Sequence, residues 1–237
     1  MAESEPKRLT DEITTLERGV MEGKNPSLLN PNQMARTVNA TCRGGYYESR
    51  PPVQRFTLIF DDDEQESWFK THNVQGRCDY RSNSGQVYAI YSVGGRIFRV
   101  DVSKTNSVNV LELTPADDAN PSVRRKAWMV QARQYLVIQD GQSVPLIYDG
   151  SVCRRASLGY PKYEVPVGTA MAYGLGRLIV VRPHRLSYVI GDIANGGTEV
   201  IQFTEENYLN EGGDVNVPIA GTITAVKIIS QIDRSTG

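Results

Sequence analysis

Residue types that commonly carry enzyme chemistry are sparse in this chain and scattered along it. The two histidines, His72 and His184, lie in different segments, and neither has a second metal ligand at useful spacing. The sequence contains no G-x-S-x-G elbow and no phosphate-binding glycine loop, and Gly174-Leu175-Gly176 fits a hairpin turn between strands. His184 follows Pro183, which predicts an exposed turn. The sequence therefore predicts no nucleophile–base set, no metal site and no cofactor.

Carboxylates at predicted strand ends offer a second kind of chemistry. Asp101, Asp140, Asp149 and Asp192 each follow an apolar run, and a pair of them could serve as acid and base in a glycosidase. Asp140 and Asp149 each precede a glycine, so turn formation is the simpler interpretation. Asp61–Asp63 lack the alternating spacing and the glycine of a calcium loop, which favours a solvated turn. We therefore expect a protein that is not an enzyme.

Basic residues cluster locally without giving the chain a basic field. The 26 Lys and Arg residues are balanced by 27 Asp and Glu residues, a net charge of −1. The clusters are Arg124-Arg125-Lys126, Arg154-Arg155, and Arg182 with Arg185. They either line a channel that nucleic acid crosses or form a solvated face with subunit salt bridges. Because no aromatic residues alternate with them, the second interpretation is favoured.

The bulk composition indicates a folded globular chain. Its 237 residues, 40% of them hydrophobic, are enough for one large domain or two small ones. No run of 18 apolar residues exists, so we expect no membrane span. The three cysteines, Cys42, Cys78 and Cys153, are odd in number and far apart, which predicts free thiols.

Short strands dominate the elements that must position these residues. Residues 1–55 read as an N-terminal arm and strap, with a weak helical pattern in LTDEITTLERGVME. From residue 56 to 237 the pattern is one of β-strands, beginning with a hairpin signal in QVYAIYSV-GG-RIFRVDV. Strands are also predicted in VNVLEL, KAWMVQARQYLVIQ, VPLIY, AMAYGLGRLIVV, RLSYVIG, TEVIQFT and TITAVKIIS. The predicted fold class is all-β.

Three of these strands also suggest an internal repeat. Arg96–Val100, Gln134–Ile138 and Arg177–Val181 are alike, start 38 and 43 residues apart, and each follows a strand and a tight turn. A period of about 40 residues with several strands per unit is typical of a propeller blade, and a β-sandwich is the alternative. The last predicted strand opens another unit, so we expect the domain to stop mid-repeat, with further chain or partner subunits completing it.

The stretch from Asn30 to Pro52 ends in a Gly-Gly reversal and a stiff Arg-Pro-Pro lead into the first strand. With Asn32-Gln33, Asn39, Gly44-Gly45 and Arg50-Pro51-Pro52, it resembles the N-terminal segment of tailed-bacteriophage virion proteins. The tail nozzle, or tail tubular B-type, proteins of short-tailed phages share this layout, with propeller-like β repeats after it. VYAIYSVGGRIFRVDV, YLVIQDGQSVPLIYDG and AYGLGRLIVV resemble such repeats.

This resemblance implies a structural component of a phage tail, assembled as a ring or hub that forms part of the DNA-ejection channel or the host-facing tip. It implies synthesis in the bacterial cytoplasm and residence in the virion. Expected partners are other copies of the chain, neighbouring tail proteins and non-specifically contacted genomic DNA. The expected subunit-interface residues are Asn32, Gln33, Asn39, Arg43, Arg50 and Pro51. The alternative is a host-glycan-binding or glycan-cleaving adsorption protein, in which Tyr46, Tyr47, Tyr160 and Tyr163 stack on sugars.

Overall fold

The computed structural model describes residues 26–29, 33, 40–43, 46–49, 55–103, 107–115, 118–124, 126–159, 162–193, 198–204, 213–218 and 221–229. Contacts divide the chain into two units, residues 1–55 and 56–237. In the first unit a 3-10 turn covers Pro26–Leu28, and β1 (Ala40–Arg43) pairs antiparallel with β2 (Tyr46–Ser49). Arg43 pairs with Tyr46, and the Gly44-Gly45 pair that predicted the reversal lies outside the described residues. The helix predicted over residues 9–22 lies outside the described residues.

The described residues of the second unit form three larger sheets, each containing a four-stranded antiparallel meander. The first sheet comprises β3 (Thr57–Ile59), β4 (Val74–Arg81), β5 (Val87–Val93), β6 (Arg96–Val100) and β7 (Ser107–Glu112). Its order is β3-β7-β6-β5-β4, and β3 is parallel to β7. Val93 and Arg96 face each other across the Gly94-Gly95 turn, which confirms the predicted hairpin.

The second and third sheets repeat the meander. The second comprises β8 (Trp128–Ala132), β9 (Tyr135–Gln139), β10 (Leu146–Tyr148) and β11 (Cys153–Arg155). A small hairpin of β12 (Leu158–Gly159) and β13 (Lys162–Tyr163) follows. The third sheet comprises β14 (Met171–Gly174), β15 (Arg177–Val181), β16 (Ser187–Ile190) and β17 (Gly213–Asn216). The all-β fold class is confirmed.

The second sheet is buried on both faces, and its strands have the apolar runs that this position requires. Leu136 and Ile138 of β9 pack with Ile90 and Ile97 of the first sheet. Val137, between them in sequence, packs instead with residues of the third sheet. Each fully buried side chain of this size contributes about 1.5–3 kcal/mol of transfer free energy. Because successive side chains of β9 point to opposite faces, this one strand packs against both the first and the third sheet.

The first strands of the three meanders, β4, β8 and β14, lie side by side, with β8 in contact with both β4 and β14. Ala127, just before β8, donates its backbone N–H to the carbonyl of Gln75 in β4 at 2.9 Å. Gln131 of β8 clamps Arg81 at the other end of β4: its Oε1 accepts the Arg81 N–H at 2.9 Å and its Nε2 donates to the Arg81 carbonyl at 2.7 Å. The edge strand β4 is thus held to the second sheet at both ends.

The predicted solvated turn at Asp61–Asp63 is wrong in part, because an α-helix, α1 (Asp63–Thr71), begins there. Asp62 caps it by accepting the Gln65 N–H at 2.7 Å, and acidic residues in the first turn favour the positive end of the helix dipole. Trp68 and Phe69 pack on the face of the first sheet that is turned away from the second sheet. Helix α1 is the only α-helix among the described residues. No helix among them is long and apolar enough to cross a membrane.

The register of the predicted repeat is also wrong for its first unit. Gln134–Ile138 overlaps β9 and Arg177–Val181 is β15, both second strands of their meanders. Arg96–Val100 is β6, which is instead the third strand of its meander, because both β4 and β5 come before it. The third strands give the consistent alignment, since β6, β10 and β16 end just before Asp101, Asp149 and Asp192. The meanders repeat, but not at a fixed spacing of about 40.

Two predicted strands near the end of the chain are not formed. In TEVIQFT, Thr198–Ile201 is a 3-10 helix, and only Gln202 makes a bridge, to Glu164. Val200, Ile201 and Phe203 are buried in the core shared by the second and third sheets, so tertiary burial overrides their strand propensity. Residues 221–229 are described without a strand, although Ile228 packs at Gly174 of β14.

Candidate functional site

One end of the three sheets carries most of the longer connections, and we call it the connecting face. In an antiparallel meander alternate turns lie at opposite ends, so the turns that join second to third strands share an end with the links between sheets. These are the turn at Gly94-Gly95, the loops 140–145 and 182–186, and the links 113–127 and 156–170. The backbone bond from Asn120 to Gly95, 3.0 Å, ties one link to one turn.

Described residues of the connecting face line three cavities with volumes of about 550, 480 and 450 Å³. The first is lined by Gln65, Arg96, Glu112, Thr114, Pro115, Asp118 and Ala119. The second is lined by Asp118, Ser143, Val144, Arg155, Ala156 and Leu158. The third is lined by Leu158, Tyr163, Glu164, Pro166, Val167, Arg182, Pro183, Val189 and Phe203. Since Asp118 and Leu158 are each shared by two cavities, we treat the three as one groove.

Arg96 is the fixed cation of the first cavity. Its guanidinium lies 4.1 Å from the centre of the Trp68 ring, donates to Glu64 at 2.9 Å, and lies 3.5 Å from Glu112. Burial raises the pKa of Glu112 above its ordinary value, against the opposing effect of Arg96. Thr114 accepts the Ile97 N–H at 2.7 Å, which fixes the strand end beside them. The first cavity therefore offers hydrogen-bonding groups in set positions.

Arg155 organises the second cavity by joining the link 113–127 to the second sheet. It donates to the Asp118 carboxylate at 2.9 Å and to the Asp118 carbonyl at 2.6 Å. It also donates to the Asn120 side chain and to the Val144 carbonyl, both at 2.6 Å. Asn120 in turn bonds Gly95, whose N–H donates to the Gln75 amide oxygen at 2.8 Å. This chain of bonds holds the loops of the first two sheets together.

An ion pair between the half-exposed Arg154 and the buried Glu164 fixes the third cavity. Arg154 makes a two-pronged contact with Glu164, both bonds 2.7 Å, and the Ser157 N–H also donates to Glu164 at 2.7 Å. The Glu164 side chain is 5% exposed. The bond to Glu164 raises the pKa of Arg154. Next to Glu164, Tyr163 of β13 keeps 46% of its surface exposed.

The four carboxylates at the predicted strand ends do not all lie at the same end of the sheets. Asp101, Asp149 and Asp192 follow third strands at the end opposite the connecting face, whereas Asp140 lies on that face. Asp149 accepts the N–H groups of Ser151 and Val152 at 2.8 and 2.7 Å. Asp140 accepts those of Gln142 and Ser143; although burial opposes it, these bonds lower its pKa. The turn interpretation of the Asp-Gly pairs is confirmed.

The basic clusters contribute side chains to ion pairs within the chain. Arg154 and Arg155 bind Glu164 and Asp118, and Arg182 lies 3.3 Å from Asp214. Arg124 lies 3.8 Å from Asp140, and Arg125 is outside the described residues. These pairs were missed because the partners stand 10 to 37 positions apart in sequence. Arg124, Arg154, Arg155 and Arg182 therefore each lie within ion-pair distance of a carboxylate of the same chain.

Other predicted site residues have mixed outcomes. Asn32, Asn39, Arg50 and Pro51 lie outside the described residues, Gln33 is half-buried, and Arg43 ends β1, so the predicted subunit interface stays a prediction. His184 is exposed in a turn, as predicted.

Cys78 and Cys153 are free thiols, as predicted. Among the described residues no group of three or more His, Cys, Asp or Glu side chains could hold a metal ion.

Comparison with known proteins gives no further guide to the groove. No family model matches the sequence, and no curated protein or solved structure is significantly similar to it.

Proposed function

We propose that this chain is a structural component of a bacteriophage tail that assembles as a ring or hub. The observation that carries the proposal is the placement of the three meanders. They stack face to face, and their first strands β4, β8 and β14 are neighbours. Blades of a β-propeller are arranged in this way, with the first strand of each nearest the axis. This layout supports the same proposal as the resemblance of the N-terminal segment to phage tail nozzle proteins.

The proposed assembly extends by the same packing that operates within the chain. The facing sides of adjacent sheets in the second unit are buried against each other, and partner subunits that add sheets would extend the same packing. The N-terminal strap, with Gln33 and Arg43, contacts neighbouring subunits in this proposal. Partner copies then enclose part of the channel through which DNA leaves the particle.

The charge pattern suits a channel that DNA crosses without being held. Tight binding to a phosphate backbone comes from cations that replace its counterions. In this chain Arg154, Arg155 and Arg182 are already paired with carboxylates, and the net charge is −1. Contact with DNA is therefore weak and non-specific in the proposed role.

Two measurements test the proposal. Cryo-electron microscopy and mass spectrometry of purified particles of the encoding phage should find the chain in the tail at a fixed copy number. Light scattering of the purified chain should show ring-sized oligomers that form as concentration rises. A monomer at all concentrations, together with absence of the chain from the particles, would overturn it.

A further inference from the structure

The groove on the connecting face has the dimensions of a binding site for an elongated ligand. Each of its three cavities has a volume of about 450–550 Å³, within the range of small-molecule sites. The first and second cavities share the lining residue Asp118, and the second and third share Leu158, so their linings follow one another from the first sheet to the third. A chain of several linked units fills such a row better than one compact molecule.

The charged side chains lining the groove are equal in number and opposite in sign. The cations are Arg96, Arg155 and Arg182, and the anions are Glu112, Asp118 and Glu164. Each arginine is already paired with a carboxylate of the chain. A nucleic acid or an acidic polymer therefore gains little from ion pairing in the groove and is repelled by its carboxylates. A ligand without net charge does not depend on ion pairing and is not repelled by these carboxylates.

The same pairing prepares the groove for hydroxyl groups. Arg96 is held by Trp68, Glu64 and Glu112, and Arg155 by four acceptor atoms, so binding orders few side chains. Carboxylate oxygens accept from hydroxyls, and guanidinium N–H groups beyond those already engaged donate to them. The first two cavities thus present both partners that a sugar hydroxyl needs.

An apolar platform lies in the third cavity. Leu158 of β12 and Tyr163 of β13 are cross-strand partners, so their side chains project to the same side of the hairpin. They are 47% and 46% exposed, although both line a cavity with Pro166 and Pro183. A sugar ring has one face of C–H groups that packs on such an aromatic surface while its hydroxyls stay hydrogen-bonded.

We propose that the groove binds a neutral oligosaccharide chain, with one sugar on the Leu158–Tyr163 platform and others hydrogen-bonded by Arg96, Glu112 and Arg155. The proposal goes beyond a tail-structural role and does not depend on it. A tail subunit with this groove would contact an uncharged glycan of the host surface.

The test measures binding of the purified full chain to maltohexaose, cellohexaose, chitohexaose and a neutral lipopolysaccharide core oligosaccharide by isothermal titration calorimetry. Sialylated hexasaccharide, single-stranded DNA and a library of extended peptides serve as competing ligands. The variant Tyr163→Ser removes the platform, and Glu112→Gln changes the polar end without changing its shape. Phe56→Ser is the matched control, because Phe56 is also 46% exposed but does not line the groove.

At least one neutral probe should bind, with affinity unchanged between about 50 and about 500 mM NaCl because no ions are released. Tyr163→Ser should weaken it about tenfold, the value of one apolar contact of this size, and Phe56→Ser should not. Glu112→Gln should also weaken it while leaving the thermal midpoint near that of the unaltered chain. Binding of none of the neutral probes, preference for DNA, peptide or the sialylated probe, or equal affinity of the Tyr163→Ser and Phe56→Ser variants would overturn the proposal. None of these results bears on ring assembly.

Discussion

Replacement of Gly95 by alanine should break the joint between the first two sheets. Gly95 has φ +88°, a conformation that costs an alanine about 1–2 kcal/mol. A Cβ there would overlap the carbonyl oxygen of Asn120 and lie 2.7 Å from its carbonyl carbon. Two hydrogen bonds oppose movement of the Gly95 backbone away from Asn120. The Gly95 N–H donates to the Gln75 side chain at 2.8 Å, and the Asn120 N–H donates to the Gly95 carbonyl at 3.0 Å.

The free energy lost is estimated from these contacts. Loss of the two bonds adds about 0.5–1.5 kcal/mol each to the backbone cost, so the total is about 2–5 kcal/mol. Gly85 provides a matched control, because its φ is +85° and a Cβ there has nothing within 4 Å. Gly85→Ala should therefore cost only the backbone term, about 1–2 kcal/mol.

Urea unfolding followed by the fluorescence of Trp68 and Trp128 measures both variants, with equal m-values required for the comparison. We expect Gly95→Ala to be less stable than Gly85→Ala by at least about 1 kcal/mol. If the two differ by less than about 0.5 kcal/mol, within the spread of neutral surface changes, the contact with Asn120 does not hold the sheets and the reasoning is refuted.

Three further predictions concern single side chains. Arg154→Met should lower the free energy of unfolding by about 2–3 kcal/mol, because it removes the opposite charge and two of the hydrogen bonds of the buried Glu164 carboxylate, and a second change, Glu164→Gln, should restore part of it in urea titrations. The pKa of Asp140 is lowered in the folded chain, so its ionised form stabilises the fold at pH values above the unfolded pKa of about 3.9. This contribution is lost as pH falls through the folded pKa. The difference in free energy of unfolding between the unaltered chain and Asp140→Asn should therefore be constant near neutral pH and shrink in acid. Burial raises the pKa of Cys153 to about 12, so mass-spectrometric mapping after iodoacetamide treatment at neutral pH should find Cys153 of the native chain less modified than the half-buried Cys78, and equal labelling would contradict the packing.

Local pattern was enough to predict the hairpins but not their grouping. The runs around Gly94-Gly95 and the Asp-Gly pairs predicted turns correctly because those turns depend on neighbouring residues alone. The assignment of Arg96–Val100 to a second strand failed because β4, with only half of its residues turned inward, carries a weak apolar signal. Grouping of strands into sheets depends on contacts between distant segments.

The helix α1 could have been predicted from sequence. Asp62 followed three residues later by Gln65 is the spacing of an N-cap, and acidic residues fill the first turn. The groove could not have been predicted in this way, since Arg155 and Asp118 are 37 positions apart and meet only after the sheets stack. Its shape follows from loop lengths and packing rather than from any local motif.

The contact of Gln131 with Arg81 affects how the chain behaves in a crowded solution. The Gln131 side-chain amide has a carbonyl acceptor beside an NH2 group with two N–H donors. Its oxygen and one N–H bind the Arg81 backbone as a neighbouring strand would, and Nε2 also donates to the Arg133 carbonyl at 2.7 Å. An exposed strand margin invites a strand from another molecule, the first step toward insoluble aggregates. Because Gln131 occupies the backbone N–H and carbonyl of Arg81, the end of β4 cannot pair there with a strand of another molecule.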